Sequence, residues 1–275
     1  MPKWPESPSG FGPPLYEGDE PNLEQGPAHI IVVHGIGAHR DFTWSEQGVK
    51  WLSREDMLPS CFPRARIMAY GYASDWLGVQ SIATCLVALA DRLLELLHDL
   101  RKVGLVGIFS RAVICLTGFF SFLSTVPGDK YFFIMHCFGG IVVEKTMLKA
   151  LARDTEIDRL LISATSGIIL LETPHRGSSS AELAHIVAGI AAAFDRAHRS
   201  PILNTLSNET QLLEDTVRNF IMQAHRLHLK IYCFYEERET DITQLTRPLL
   251  GKLLPTVTKV ISVFILRDID PCGLS

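Results

Sequence analysis

The feature that most constrains the fold is a short apolar run, residues 131–135, which ends at a tight turn and continues as a helical pattern. The run is too short and too aromatic for a helix, so it predicts a buried strand. His136 and Cys137 follow it, and Gly139 and Gly140 then allow a helix to pack closely against that strand. The sequence therefore predicts a strand, a sharp turn and a helix in direct succession.

This succession resembles the G-x-S-x-G nucleophile elbow, in which the central residue lies on a strained turn above a parallel sheet. The five positions hold Met135, His136, Cys137, Phe138 and Gly139. A methionine replaces the first glycine, and a thiol replaces the nucleophilic hydroxyl. Because a helix N-terminus favours the thiolate, Cys137 is a candidate nucleophile. The alternative is that Cys137 is a small apolar residue at an ordinary turn.

A second glycine-rich turn follows residues 30–33, a continuous apolar run that is typical of a central parallel strand. The turn has the pattern H-G-x-G and consists of His34, Gly35, Ile36 and Gly37. It resembles the turn whose backbone N–H group helps to form an oxyanion hole in esterases. The N–H groups of Ile36 and Phe138 are then the candidate donors. An ordinary strand-to-helix turn is the alternative, since glycines are common there.

The remaining apolar segments alternate between strand and helix patterns. Strands are predicted at 65–70, 167–171 and 229–235, and helices at 44–52, 81–101, 138–152 and 181–194. Such alternation predicts an α/β fold with a doubly wound, mostly parallel sheet and helices on both faces.

Residues 103–126 interrupt this pattern, because they are strongly apolar and Arg111 is their one charged residue. The segment is long enough to span a bilayer. It would, however, fall between a crossover helix and the strand that this helix delivers to the sheet, where connections normally have a few residues. We therefore expect an inserted surface or interfacial hairpin that could contact a membrane. A spanning helix and a translated intron are the alternatives.

Composition limits the function classes. The net charge is −4 and no long basic run is present, so we do not expect nucleic-acid binding. The six cysteines form no C-x-x-C pair and no Cys/His cluster at zinc spacing, so we expect reduced thiols, no metal and an intracellular location. We expect residues 1–28 to form a flexible arm rich in proline and glycine, not a signal peptide, and residues 29–275 to form one domain.

Four motifs in a fixed order carry a resemblance to a known family. They lie at residues 34–37, 70–72, 136–140 and 173–178. Together they resemble the α/β-hydrolases of the SERAC type and the related DUF676 lipase-like serine esterases, over about residues 29–236. The resemblance implies hydrolysis or transfer of acyl esters, on lipid-like substrates and without a cofactor. It also implies association with mitochondria or the endoplasmic reticulum. Similar fungal domains precede NACHT or repeat modules, so an inactive binding or signalling module is the alternative function.

The resemblance also implies roles for individual residues. Cys137 takes the nucleophile's position, and Glu236 is the acid candidate, although an exposed charge at a strand end fits Glu236 equally well. His175 and Arg176 are interpreted as supports of the pocket floor, and not as catalytic groups. His136 precedes the nucleophile and is expected to point away from it.

The catalytic base is missing from the expected place. In the family the histidine follows the acid along the chain, but no histidine follows His228 here. Residues 237–275 are expected to be divergent or truncated, without the C-terminal strand and the histidine loop. Since loss of a triad member costs orders of magnitude in rate, the sequence predicts a hydrolase-like fold with weakened catalysis.

Overall fold

The computed structural model describes residues 9–18, 28–35, 38–72, 82–112, 129–173, 202–234 and 267–268. The strands are β1 (Gly10–Phe11), β2 (Tyr16–Glu17), β3 (Ala28–Val33), β4 (Ser45–Glu46), β5 (Val49–Lys50), β6 (Ala65–Gly71), β7 (Lys130–His136), β8 (Thr165–Leu171), β9 (Ile231–Phe234) and β10 (Arg267–Asp268). The helices are α1 (Leu58–Cys61), α2 (Ile82–Ala112), α3 (Phe138–Arg153), α4 (Glu156–Ala164) and α5 (Ile202–Arg226).

One sheet organises the molecule, with the strand order β1-β6-β3-β7-β8-β9-β10 and with β2 also paired to β6. Strands β6, β3, β7, β8 and β9 are parallel to their neighbours, and the short edge strands are antiparallel. From β3 the chain adds β6 on one side and then crosses back to add β7 on the other side. The carboxyl ends of β3 and β7 therefore form a topological switch point, where open α/β sheets bind their ligands. This topology confirms the predicted parallel α/β class.

Alternate residues of the central strands enter two separate cores. Ile31 and Val33 of β3 pack with residues of α2, α3, α4 and α5 on one face, whereas Ile30 and Val32 pack against Trp44 and nearby residues on the other. The strands are apolar on both faces because both are covered, as expected for a parallel sheet. On the second face, the described cover comes from residues 38–61 and from Leu15. The helix predicted at 181–194 lies outside the described residues.

The crossover helix is confirmed but is longer than its periodicity predicts. α2 runs to Ala112 and so includes the start of the segment that was predicted as a separate insertion at 103–126. Residues 113–128 lie outside the described part of the chain. Among the helices that the structure describes, none combines the length and the apolar character needed to cross a bilayer.

The prediction of a helix at 44–52 is wrong. This segment contains the antiparallel hairpin β4–β5, with Gln47 at φ 50° and Gly48 at φ 81°. Two consecutive residues with positive φ give the turn type that matches the twist of a two-residue hairpin. The turn chemistry therefore overrides the weak helical spacing of the tryptophans and leucine around it.

The sheet also extends at both edges. β1 and β2 lie within the segment that was predicted as an arm, and both pair antiparallel with β6. At the other edge, Arg267 and Asp268 pair with Tyr232 and Cys233 of β9. A short C-terminal strand thus covers part of the edge that the sequence was expected to leave without one.

Candidate active site

The elbow is built around a strained backbone at Cys137. This residue connects β7 to α3 and has φ 51° and ψ −125°, a conformation that non-glycine residues rarely adopt. Three hydrogen bonds hold it there. The Cys137 N–H donates to the Leu171 carbonyl at 2.8 Å, and the Cys137 carbonyl accepts from the Gly140 N–H at 3.0 Å and the Thr173 hydroxyl at 3.2 Å. Such strain costs of order 1–3 kcal/mol and tends to occur at functional sites.

The two glycines of the elbow are required by close packing. A Cβ on Gly139 would lie 2.5 Å from the carbonyl oxygen of His34, and a Cβ on Gly140 would overlap the Thr173 side chain. The first turn of α3 is therefore pressed between the ends of β3 and β8. This contact brings the N-terminus of α3 to the switch point of the sheet.

The turn after β3 lies directly beside the elbow. A Cβ on Gly35 would be 3.0 Å from Cys137 Cβ and 3.0 Å from His136 Nδ1. The structure therefore brings His34, Gly35, His136 and Cys137 to one place. Ile36 and Gly37 lie outside the described residues, so the donor predicted at Ile36 stays a prediction. Phe138, the other predicted donor, is the first residue of α3, and its side chain is fully buried.

His34 is a structural residue and not a base. Its Nδ1 donates to the Gly35 carbonyl at 2.8 Å, its Nε2 accepts from the Tyr72 N–H at 3.3 Å, and its ring stacks on Tyr72 with 4.3 Å between centroids. The Tyr72 hydroxyl donates back to the His34 carbonyl at 2.8 Å. Burial lowers the pKa of His34 from 6.5 to about 4, so the ring is neutral at pH 7. Both ring nitrogens are occupied, and the pair locks the turn after β3 against β6.

Tyr72 is also electrostatically coupled to the elbow. Burial is the largest cause of its raised pKa, and its interaction with Cys137 is the next.

Sequence reasoning missed Glu172. This residue follows β8, has φ 52°, and its N–H donates to the Phe234 carbonyl at 2.8 Å. Its carboxylate oxygen lies 3.3 Å from His136 Nε2. The signal was available, because Glu172 directly follows a predicted strand, and the carboxyl ends of neighbouring parallel strands meet at one sheet edge.

The remaining predicted site residues lie elsewhere in the chain. Glu236, His175 and Arg176 fall outside the described residues, so their predicted roles stay predictions. Within the described ranges, no group of three His, Cys, Asp or Glu side chains could hold a metal ion.

Comparisons with known proteins were made by family, sequence and structure. Neither a scan against protein-family models nor a search of curated proteins gave a match. Among solved structures, the lipase BlEst2 of Bacillus licheniformis in its mature form has 13% identity and a TM-score of 0.44, covering 87% of this chain and 80% of that one. The NocB thioesterase domain, in covalent complex with a fluorophosphonate nocardicin G analogue, has 14% identity and a TM-score of 0.28. That match covers 71% of this chain and 67% of the other.

Identities and TM-scores this low do not indicate a function. The fold is therefore assigned from the strand order and the elbow. The chain has an α/β-hydrolase-like fold. In such a fold the elbow residue is the nucleophile position, and its helix supplies one oxyanion donor. Cys137 and the N–H of Phe138 are the groups that the sequence predicts for these two places.

Proposed function

We propose that the protein is an esterase or lipase-like hydrolase that cleaves acyl esters with Cys137 as the nucleophile. One observation carries the proposal: a non-glycine residue is held at φ 51° and ψ −125° between β7 and α3, at the switch point of the sheet. An ordinary connection between strand and helix has no need of such a backbone. A strained turn does, however, raise a side chain above the sheet, where a substrate can reach it.

The chemistry follows from this placement. The thiolate of Cys137 attacks the ester carbonyl, and the oxygen that becomes negative accepts a hydrogen bond from the Phe138 N–H at the α3 N-terminus. In enzymes that have such a donor, its removal costs about 3 kcal/mol of transition-state stabilisation. In this proposal the N–H of Ile36 is the second donor. Collapse of the intermediate releases the alcohol, and water then hydrolyses the acyl-thioester.

The family resemblance supports the finer parts of the proposal. It supports lipid-like acyl esters as substrates, a SERAC-type or DUF676-type affiliation, and an intracellular location at mitochondria or the endoplasmic reticulum. It also supports Glu236 as the acid. Membrane contact through residues 103–126 is a separate proposal, based on the apolar character of that segment.

A second candidate function is a hydrolase-like module that has lost catalysis and serves in binding or signalling. One observation favours it. Both ring nitrogens of His34, the histidine on the turn beside the elbow, are occupied, so this ring cannot take the proton of Cys137. Without a proton acceptor, attack by a thiol is slower by orders of magnitude.

Hydrolysis of p-nitrophenyl acetate, butyrate and octanoate by the purified protein between about pH 6 and 9 separates the two. For the hydrolase we expect turnover that Cys137→Ala abolishes. Cys61→Ala is the matched control, because Cys61 is an exposed cysteine on α1, away from the switch point. Turnover that survives Cys137→Ala contradicts the role of the thiol, and absence of turnover in every ester favours the binding module.

A further inference from the structure

The pair formed by His136 and Glu172 lies at the elbow and has no role in the mechanism above. His136 is the last residue of β7, directly before Cys137, and Glu172 directly follows the neighbouring strand β8. Their side chains meet at 3.3 Å between Nε2 and Oε2, and they are 33% and 39% exposed. The pair therefore lies at the mouth of the proposed site.

The carboxylate determines which ring nitrogen of His136 carries the proton. A carboxylate can only accept, so Nε2 donates to Glu172, and in the neutral ring Nδ1 is left with its lone pair. Nδ1 is buried and makes no hydrogen bond to any part of the described chain. Buried acceptors normally have a donor. Nδ1 is thus a buried hydrogen-bond acceptor to which no described residue donates, and it is able to take a proton.

This acceptor and the Cys137 side chain border the same space next to Gly35. His136 Nδ1 and Cys137 Cβ each lie 3.0 Å from the position that a Cβ of Gly35 would occupy. The absence of a side chain on Gly35 leaves room for both groups. Among the described residues, the titratable groups near the ring are Glu172 after β8, Cys137 at the elbow and His34 on the turn after β3. His34 is neutral at pH 7, and both of its ring nitrogens are occupied.

A solvated ion pair at the ends of two strands is the simpler interpretation, since exposed pairs are common and contribute little. It does not explain the backbone of Glu172. This residue has φ 52°, and its N–H is fixed to the Phe234 carbonyl on the next strand. A solvated pair does not require a strained residue at one end, whereas a carboxylate that must be held beside one imidazole nitrogen does.

We propose that His136 is the proton acceptor for Cys137 and that Glu172 is its positioning residue. This inference rests on the proposed function. The thiol proton passes to Nδ1, while sulfur forms a bond to the carbonyl carbon and the carbonyl electron pair moves to oxygen. When the C–O bond breaks, the alkoxide takes the proton from Nδ1. Water then attacks the thioester, gives its proton to Nδ1, and the departing thiolate recovers it.

Two readouts test the proposal on the purified full chain. The first is hydrolysis of p-nitrophenyl butyrate by His136→Gln, for which we expect kcat/KM to fall by about 10²–10⁴-fold with KM unchanged. Glu172→Gln should lower kcat/KM less, because a neutral amide still orients the ring but does not stabilise the imidazolium. Glu172→Asp should recover part of that loss. His225→Gln is the control, as an exposed histidine on the last turn of α5.

The second readout is the pH dependence of iodoacetamide alkylation at Cys137, measured by peptide mass spectrometry with exposed Cys61 as the reference in the same chain. In the wild type we expect Cys137 to react at lower pH than Cys61. In His136→Gln the two profiles should come together, while that of Cys61 stays unchanged. If both His136→Gln and Glu172→Gln keep the wild-type kcat/KM and alkylation profile, the proposal is overturned.

Different results contradict the proposed function and the proposed role of His136. The proposed function is contradicted if Cys137→Ala is as active as the wild type, or if the wild type shows no activity. In the second case the alkylation profile alone decides whether His136 accepts the Cys137 proton. If His136→Gln does not fold, as judged by its circular dichroism spectrum, the result for Glu172→Gln decides instead.

Discussion

Acidification should destabilise the protein through His34, and the size of the effect can be worked out from its surroundings. The ring is fully buried against Tyr72, and burial lowers its pKa from 6.5 to about 4. In the unfolded chain the same imidazole takes up its proton near its ordinary pKa. Between these two pKa values the unfolded state therefore binds more protons than the folded state, so the free energy of unfolding falls as the pH falls.

A difference of about 2.5 pKa units corresponds to about 3 kcal/mol, at 1.36 kcal/mol for each unit. The loss begins as the pH falls through about 6.5 and is nearly complete at about pH 4, where the folded ring is also protonated. This loss is a large fraction of the stability of an ordinary domain. Structurally, protonation removes the lone pair by which Nε2 accepts the Tyr72 N–H, and it places a charge in a buried stack.

Urea unfolding of the wild type and of His34→Gln, followed by circular dichroism at intervals from about pH 7.5 to 4, measures this effect. Carboxylates also contribute, since hydrogen bonds from Thr155 and His98 outweigh burial and lower the pKa of Asp158. Asp158 is unchanged in the variant, so its contribution cancels in the difference between the two proteins. We expect that difference to shrink by about 3 kcal/mol on acidification. His225→Gln, at an exposed histidine, should leave the wild-type pH dependence intact.

A difference between wild type and His34→Gln that stays constant from about pH 7.5 to 4 would refute the reasoning. It would mean that His34 titrates normally in the folded protein, and so that the ring is not locked between Gly35 and Tyr72. His34 and Tyr72 would then not lock the turn after β3 against β6.

Two further predictions concern the backbone of the elbow. Gly139→Ala and Gly140→Ala should each destabilise the protein by about 1–3 kcal/mol in thermal or urea unfolding, because the added Cβ would meet the His34 carbonyl in the first variant and the Thr173 side chain in the second. Unchanged stability in either variant would contradict this packing. Both Cys137→Gly and Cys137→Ala remove the thiol, but Cys137→Gly should be more stable by about 1 kcal/mol, because glycine adopts φ 51° without strain. A less stable glycine variant would show that the elbow is not strained.

Much of the fold could be predicted because its signals are local. The strand at 131–135 and its helix were recognisable from an apolar run, a turn and two adjacent glycines, all within a few residues. The same reasoning failed at residues 44–52, where the spacing of large apolar residues suggested a helix. There the Gln47-Gly48 turn directs the chain into a hairpin, and this turn chemistry was not recognised.

The candidate site could be predicted in part for the same reason. Cys137 and the turn at His34 were found as motifs, since each motif is continuous in sequence. Glu172 was missed because its partner His136 is 36 positions away, and only the parallel pairing of β7 and β8 brings their ends together. The stack of His34 on Tyr72 joins residues 38 positions apart in the same way.

The sequence by itself determined where a strained elbow would form and that its central side chain would be a thiol, because local apolar runs, glycines and side-chain identity are all present in the chain. Only the tertiary structure decided what surrounds that sulfur. The register of β3, β7 and β8 places Gly35, His136 and Glu172 at one sheet edge, and burial makes His34 a neutral support. These are long-range properties, since both pairing register and desolvation depend on segments that are distant in sequence.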